Sequence, residues 1–207
     1  MSALARARAP ETGVVGAAEL ERAAADRLLP VCAEMAGLFP RGGMRRGSTV
    51  AVRGSTAVLL KLLAAATANG SWAAVVGMSG LGLLAASELG VAVERLAVVA
   101  QAGGEPVAVV AALLDGMDLV VVNQGEARQR PLLPESQTRR LAARARSRGA
   151  VLIVRGRWPS ADLELECARS RWTGLGSGHG YLRSRSLLVR AHGRGAAARP
   201  VSAEVTL

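Results

Sequence analysis

Three stretches of this 207-residue chain hold residue types that could do chemistry. The first is Gly54-Ser55-Thr56, which follows a β-branched run at 49–52 and precedes an alanine-rich apolar run. Nucleotide-binding folds cradle phosphate at such a glycine turn, because backbone N–H groups at the start of the helix point outward there. A working loop of the form G-x-x-x-x-G-K-[ST] also needs a second glycine, a lysine for the terminal phosphates and a hydroxyl for magnesium. Counted from Gly54, those places hold Leu59, Leu60 and Lys61. All three fail. Lys61 is expected on the solvated helix surface, and Ser55 or Thr56 keeps the role of a helix cap.

The second stretch comprises the tips of two buried strands. A carboxylate that holds magnesium normally ends such a strand, but the run at 119–122 ends in Asn123, and Asp118 stands at the opposite end. Where a catalytic carboxylate would orient water, after the run at 72–76, the chain reads Gly77-Met78-Ser79-Gly80. Without lysine, metal ligand and general base, nucleotide hydrolysis loses contributions each worth several orders of magnitude. The expectation is a non-enzyme with no cofactor. The same GMSG falls short of a nucleophile elbow, G-x-S-x-G, because Leu81 replaces the closing glycine. Cys32 and Cys167 are far apart, and His179 and His192 have no cluster of ligands, so neither a metal site nor a disulfide framework is expected.

The third stretch is basic. The formal net charge is +10, and residues 127–207 carry 16 arginines against 5 acidic residues, whereas residues 1–126 carry 10 basic and 11 acidic ones. Arg140, Arg144 and Arg148 recur at helical spacing on one face of a helix over 135–148. Arg128 and Arg130 precede that helix, and Arg155 and Arg157 follow the next strand. These seven are the candidate contacts to DNA or to an acidic partner, against the plainer reading of a solvated helix face and loops. Aromatic residues suited to stacking on bases are few, namely Trp158, Trp172 and Tyr181.

The elements that must position these residues are legible in the apolar pattern. Half the residues are hydrophobic but only 2% are aromatic, so the core is expected to be Val, Leu and Ala. Buried runs at 49–52, 72–76, 96–100, 118–123 and 150–154 alternate with helical stretches at about 56–69, 81–89, 105–114 and 135–148. That alternation predicts an α/β fold with a mostly parallel, doubly wound sheet. Beyond Trp158-Pro159 the runs 162–170, 182–192 and 201–207 alternate polar and apolar residues between glycine-rich turns, which predicts an antiparallel meander extending the sheet. Residues 1–16 are expected to be disordered or loosely attached, and residues 17–207 to form a single domain that begins with a helix over 17–38, kinked or split by Pro30. With no apolar run of membrane-spanning length and no apolar signal core, a cytoplasmic protein that uses no membrane is expected.

The order of segments over 38–123, including AVVGMSGLGLLAASELGVAVERLAVVAQ and MDLVVVNQ, resembles the core of RecA-type recombinases, as does the tail with HGRGAAARP. The chain more closely resembles the actinobacterial ImuA family (ImuA-prime), through LFPRGGMRRGSTVAVRG, GSWAAVVG and RWPSADLELECARSRWTGLGSGHG, over about residues 18–207. The resemblance implies a RecA-like core with a degenerate P-loop at Gly54, Ser55 and Thr56, Ser79 in place of the catalytic Glu and Asn123 in place of the magnesium-associated Asp. It also implies shortened DNA-binding loops at about 124–134 and 156–161. The function it implies is that of a non-catalytic adaptor in the mutagenic translesion-synthesis mutasome. Such an adaptor binds ImuB, the polymerase-like hub, and through it works with an error-prone C-family polymerase and the sliding clamp, near the nucleoid after DNA damage. A basic DNA-binding module, a residual RecA-type ATPase and a SulA-type division inhibitor are the alternative readings.

Overall fold

The computed structural model describes residues 27–125, 132–159, 161–176 and 179–207. Residues 1–16 and the first part of the expected 17–38 helix lie outside them. Within the rest, the helix expectation is corrected. Leu28–Pro30 is a strand, β1, and the helix is confined to one turn, α1, at Ala33–Ala36. Proline has no N–H to donate and pushes the residue before it towards extended backbone, so Pro30 suits the end of a short strand rather than a helix interior. β1 pairs antiparallel with β2, Gly43–Arg45, in a two-stranded sheet. Of the residues at helical spacing in that stretch, Met35 and Leu38 are buried, Leu28 and Val31 are half-buried, and it is Leu29 that β1 buries.

The main sheet is built from β3 (Thr49–Arg53), β4 (Ala73–Val76), β5 (Leu96–Val99), β6 (Leu119–Gly125), β7 (Val151–Gly156), β8 (Leu163–Gly176), β9 (His179–Gly193) and β10 (Val201–Thr206). Its order is β10-β9-β8-β3-β7-β6-β4-β5. β3 is parallel to both neighbours, β7 and β8, and the β7-β6-β4-β5 run is parallel throughout. β8, β9 and β10 are antiparallel, each to the next. The fold is therefore α/β, with a mostly parallel sheet and an antiparallel extension.

Four helices cover the parallel part: α2 (Thr56–Ala68), α3 (Leu83–Glu88), α4 (Pro106–Gly116) and α5 (Glu135–Arg148). Connections that move along the sheet in opposite directions must place their helices on opposite faces if each crossover is right-handed. The core divides accordingly. Val50, Val52, Val75, Val121 and Ile153 pack in one cluster with α2, α3, β1 and β2. Ala51, Val76, Val120, Val122, Leu152 and Val154 pack in a second with α4 and α5. Period-two alternation along each strand thus feeds two cores, which is why these strands read as unbroken apolar runs.

Polar side chains pin the amino edge of the sheet. Asp118 accepts the Trp72 N–H at 2.9 Å and Arg46 Nη1 at 2.8 Å, and Asp162 accepts the Thr49 N–H at 2.8 Å. This leaves the carboxyl edge, where the turns after β3, β4, β6 and β7 gather, as the place to look for chemistry. Among the described residues, no helix is long and apolar enough to cross a membrane.

Candidate functional site at the carboxyl edge of the sheet

Only Gly54 and Ser55 connect β3 to α2. Gly54 has φ +82°, and a Cβ there would lie 3.2 Å from the carbonyl oxygen of Cys167 on β8. The tight turn and the neighbouring strand are sufficient reason for glycine at this position. Ser55 occupies the N-cap position in extended conformation, buried, but makes no side-chain capping hydrogen bond. The capping role expected of this pair is therefore unfilled at the N-cap, and Thr56 is the first helical residue. Lys61 is half-buried, a turn further on, and its charge acts on Cys32 and Glu34 at the start of α1.

Asn123, near the end of β6, ties three strand ends together. Its Nδ2 donates to the Gly77 carbonyl after β4 at 2.8 Å, and its Oδ1 accepts from Arg155 Nη1 on β7 at 3.1 Å and from the Gly125 N–H at 3.3 Å. Ser79 lies in the turn beyond Gly77 and is exposed. Asn123 is thus joined to Gly77 at the start of the Gly77–Gly80 turn, whereas Gly54 borders Cys167 of β8.

Gln124, which the sequence did not single out, is buried and pairs with Leu133 in both directions. Its Nε2 donates to the Leu133 carbonyl at 2.7 Å, and its Oε1 accepts the Leu133 N–H at 2.9 Å. One amide thus closes the base of the loop between β6 and α5. An isolated glutamine at a strand end carries no local signal of such a role.

The seven arginines separate into groups. Arg128 and Arg130 lie outside the described residues. Arg144 grips Asp115 at the end of α4 with two hydrogen bonds, Nε to Oδ1 at 2.8 Å and Nη2 to Oδ2 at 2.5 Å. Arg148 adds Nε to Oδ1 at 3.0 Å. The hydrogen bond from Arg144 holds the Asp115 carboxyl below its ordinary range, with the charges of Arg144 and Arg148 acting in the same sense. Two members of the helical stripe therefore clamp α5 to α4 across an exposed surface. Arg140 remains exposed, 3.4 Å from Gln137 Oε1. Arg155 is held at Asn123, and Arg157 is exposed just beyond β7. Trp158 is 3% exposed and part of the α4–α5 core, so it offers no stacking surface.

A broad cleft of about 1340 Å³ lies between the first turns of α4 and α5, lined by Gly104, Glu105, Pro106, Pro134, Glu135 and Arg140 among others. It mixes two carboxylates, Glu105 and Glu135, with the exposed guanidiniums of Arg140 and Arg144, and presents no nucleophile–base pair. Among the described residues, no group of three His, Cys, Asp or Glu could hold a metal ion.

Comparison with known proteins places this edge inside a shared region. The family model for the MT3502 N-terminal domain matches residues 37–160, which include Gly54, Ser79, Asn123, Gln124, Arg155 and the whole of α4 and α5. The chain is also 41% identical over 131 residues to Rv3395c of Mycobacterium tuberculosis, an uncharacterized protein. That similarity spans 62% of this chain and 62% of the relative, about three fifths of its length. Strands β8 to β10 follow the matched region. On these findings the chain belongs to the family of the MT3502 N-terminal domain.

Proposed function

We propose that this chain is a non-catalytic, RecA-like adaptor of the mutagenic translesion-synthesis mutasome, binding ImuB and supporting an error-prone C-family polymerase at the sliding clamp. The resemblance of its ordered motifs to the ImuA family motivates the partner. The carboxyl edge motivates the absence of chemistry, and one observation carries it. Asn123, at the place where a RecA-type ATPase would carry its magnesium-associated acid, spends its amide on Gly77 and Arg155. A two-residue turn at Gly54-Ser55 offers no loop of successive amides to wrap a triphosphate, and no carboxylate stands at Ser79 to orient water. The β3–α2 turn is then an inherited scaffold, a degenerate P-loop retained for folding. Action in the cytoplasm, at the nucleoid after DNA damage, is part of the same proposal.

Co-expression with ImuB tests the partner. A stoichiometric complex that survives size-exclusion chromatography is expected, and failure to co-purify at low and moderate salt overturns the adaptor reading. Calorimetric titration with ATP and magnesium tests the chemistry. No heat of binding is expected, and saturable binding with phosphate release would restore the residual-ATPase alternative.

A further inference from the structure

β8 and β9 are far longer than the strands beside them. The last pair between β3 and β8 is Arg53 with Glu166, and the last between β10 and β9 is Thr206 with Ser186. Backbone bonds between Arg185 and Leu207 end the three-stranded part. Beyond them residues 172–176 and 179–184 continue as a ribbon of two strands only. Because β8 runs parallel to β3, this arm leaves the sheet at the carboxyl edge. At five residues per strand it reaches roughly 17 Å.

The arm and the residues at its foot are one-sided in charge. Residues 168–188 contain Arg169, Arg171, Arg183 and Arg185 and no acidic residue. Directly opposed residues of an antiparallel pair share a face, and successive residues alternate. Trp172 opposes Arg185, whose guanidinium lies 5.1 Å from the ring centroid and whose Nε donates to Ser170 Oγ at 2.8 Å. On the other face Arg171 opposes Ser186 and Arg169 opposes Leu188. Glu204 lines the shallow depression at the foot of that second face. Among the described residues, Arg169, Arg171 and Arg183 are exposed and belong to no ion pair. Tyr181 is 87% exposed and Leu182 51%, next to the tip.

We infer that this arm is a binding surface for double-stranded nucleic acid, with the ribbon lying in a groove. A groove has two phosphate walls, so it rewards cations on both faces of a ribbon, whereas a flat acidic protein surface would use one. The major groove, about 12 Å wide, admits a two-stranded β-ribbon. From the foot of the ribbon, where β10 still pairs with β9, Arg169 and Arg171 face one wall; Arg185 at its base and Arg183 further along β9 serve the other, and the exposed Tyr181 and Leu182 lie near the tip, where the groove floor would be. The arm lies outside residues 37–160, which the family model matches.

Fluorescence anisotropy of the full 207-residue chain with labelled duplex and single-stranded oligonucleotides of equal length tests it. Duplex binding is expected to weaken linearly on a log–log plot between about 50 and 200 mM salt. The double variant Arg171→Ala/Arg183→Ala should bind several-fold more weakly and flatten the slope by about 2, because two phosphates are no longer neutralised. The control Arg95→Ala/Arg139→Ala, with the same change in net charge, should bind like the parent. Hydrogen exchange on the unmodified chain should show duplex-induced protection within residues 171–185. The inference is overturned by no duplex binding at low salt, by tighter binding of the single strand, or by equal weakening in both double variants. Protection elsewhere only, or equal competition by polyglutamate, would also overturn it.

Discussion

Asn123 and Gly77, 46 residues apart in sequence, are joined by a 2.8 Å hydrogen bond from the Asn123 side-chain amide to the Gly77 carbonyl oxygen. The bond fastens the tip of β6 to that of β4, and the other end of the same amide accepts from Arg155 on β7. Asn123, weighed from the sequence as a strand-end position for a metal ligand, is thereby a structural tie.

Restoring an acid at this position should harm rather than help. In Asn123→Asp a carboxylate oxygen replaces the donor facing the Gly77 carbonyl, so two acceptors meet while the contact to Arg155 survives. The expected cost is about 1–2 kcal/mol in denaturant unfolding, with no phosphate release from ATP. A variant as stable as the parent would show that the bond contributes nothing.

Gln124 should be more sensitive. Gln124→Leu leaves both the N–H and the carbonyl of Leu133 without their buried partner. A loss of about 2–3 kcal/mol is expected from unfolding curves, with faster amide exchange at Leu133. Unchanged exchange there would contradict the assigned role.

Gly54→Ala tests whether the β3–α2 turn is retained for folding. An L-residue with a side chain is strained at φ +82°, and its Cβ would press on the Cys167 carbonyl at 3.2 Å. The midpoint of urea unfolding should fall by an amount equivalent to about 1–2 kcal/mol, with an unchanged slope.

The clamp of Asp115 by Arg144 and Arg148 should depend on pH. The Asp115 carboxyl is held below its ordinary value of 3.8 in the folded chain. A depressed folded value means that the stabilisation is present above about pH 4 and is lost as the pH falls through the lower folded value. The melting temperatures of the parent and of Asp115→Asn should therefore differ at neutral pH and converge in acid. The difference should also shrink at high salt, because the pair is exposed. A difference that is constant across this range would remove the charge from the explanation.

Most elements of the parallel sheet are legible from local pattern alone. β3, β4, β6 and β7 are legible because a strand covered on both faces needs apolar side chains at every position, and Thr49 to Val52 or Leu119 to Val122 meet that need locally. The ends of α2 and α5 were legible for the same local reason, with Gly149 in the left-handed conformation closing α5. The failure of the phosphate-loop pattern was likewise visible from spacing alone.

The tertiary structure decided the partners. Leu28 to Pro30 lay in a stretch expected to be helical, but pairing with Gly43–Arg45 made them a strand. Arg144 looked like a contact surface until Asp115, 29 residues away, came into reach across the α4–α5 packing. The three aromatic residues carried no order of merit in sequence. Packing buried Trp158 in the core under α4 and α5 and left Trp172 and Tyr181 exposed on the β8–β9 arm, with four arginines along it and at its foot. Each of these outcomes depends on which strands become neighbours, and that follows from closing long loops over a shared core rather than from the period of any one segment.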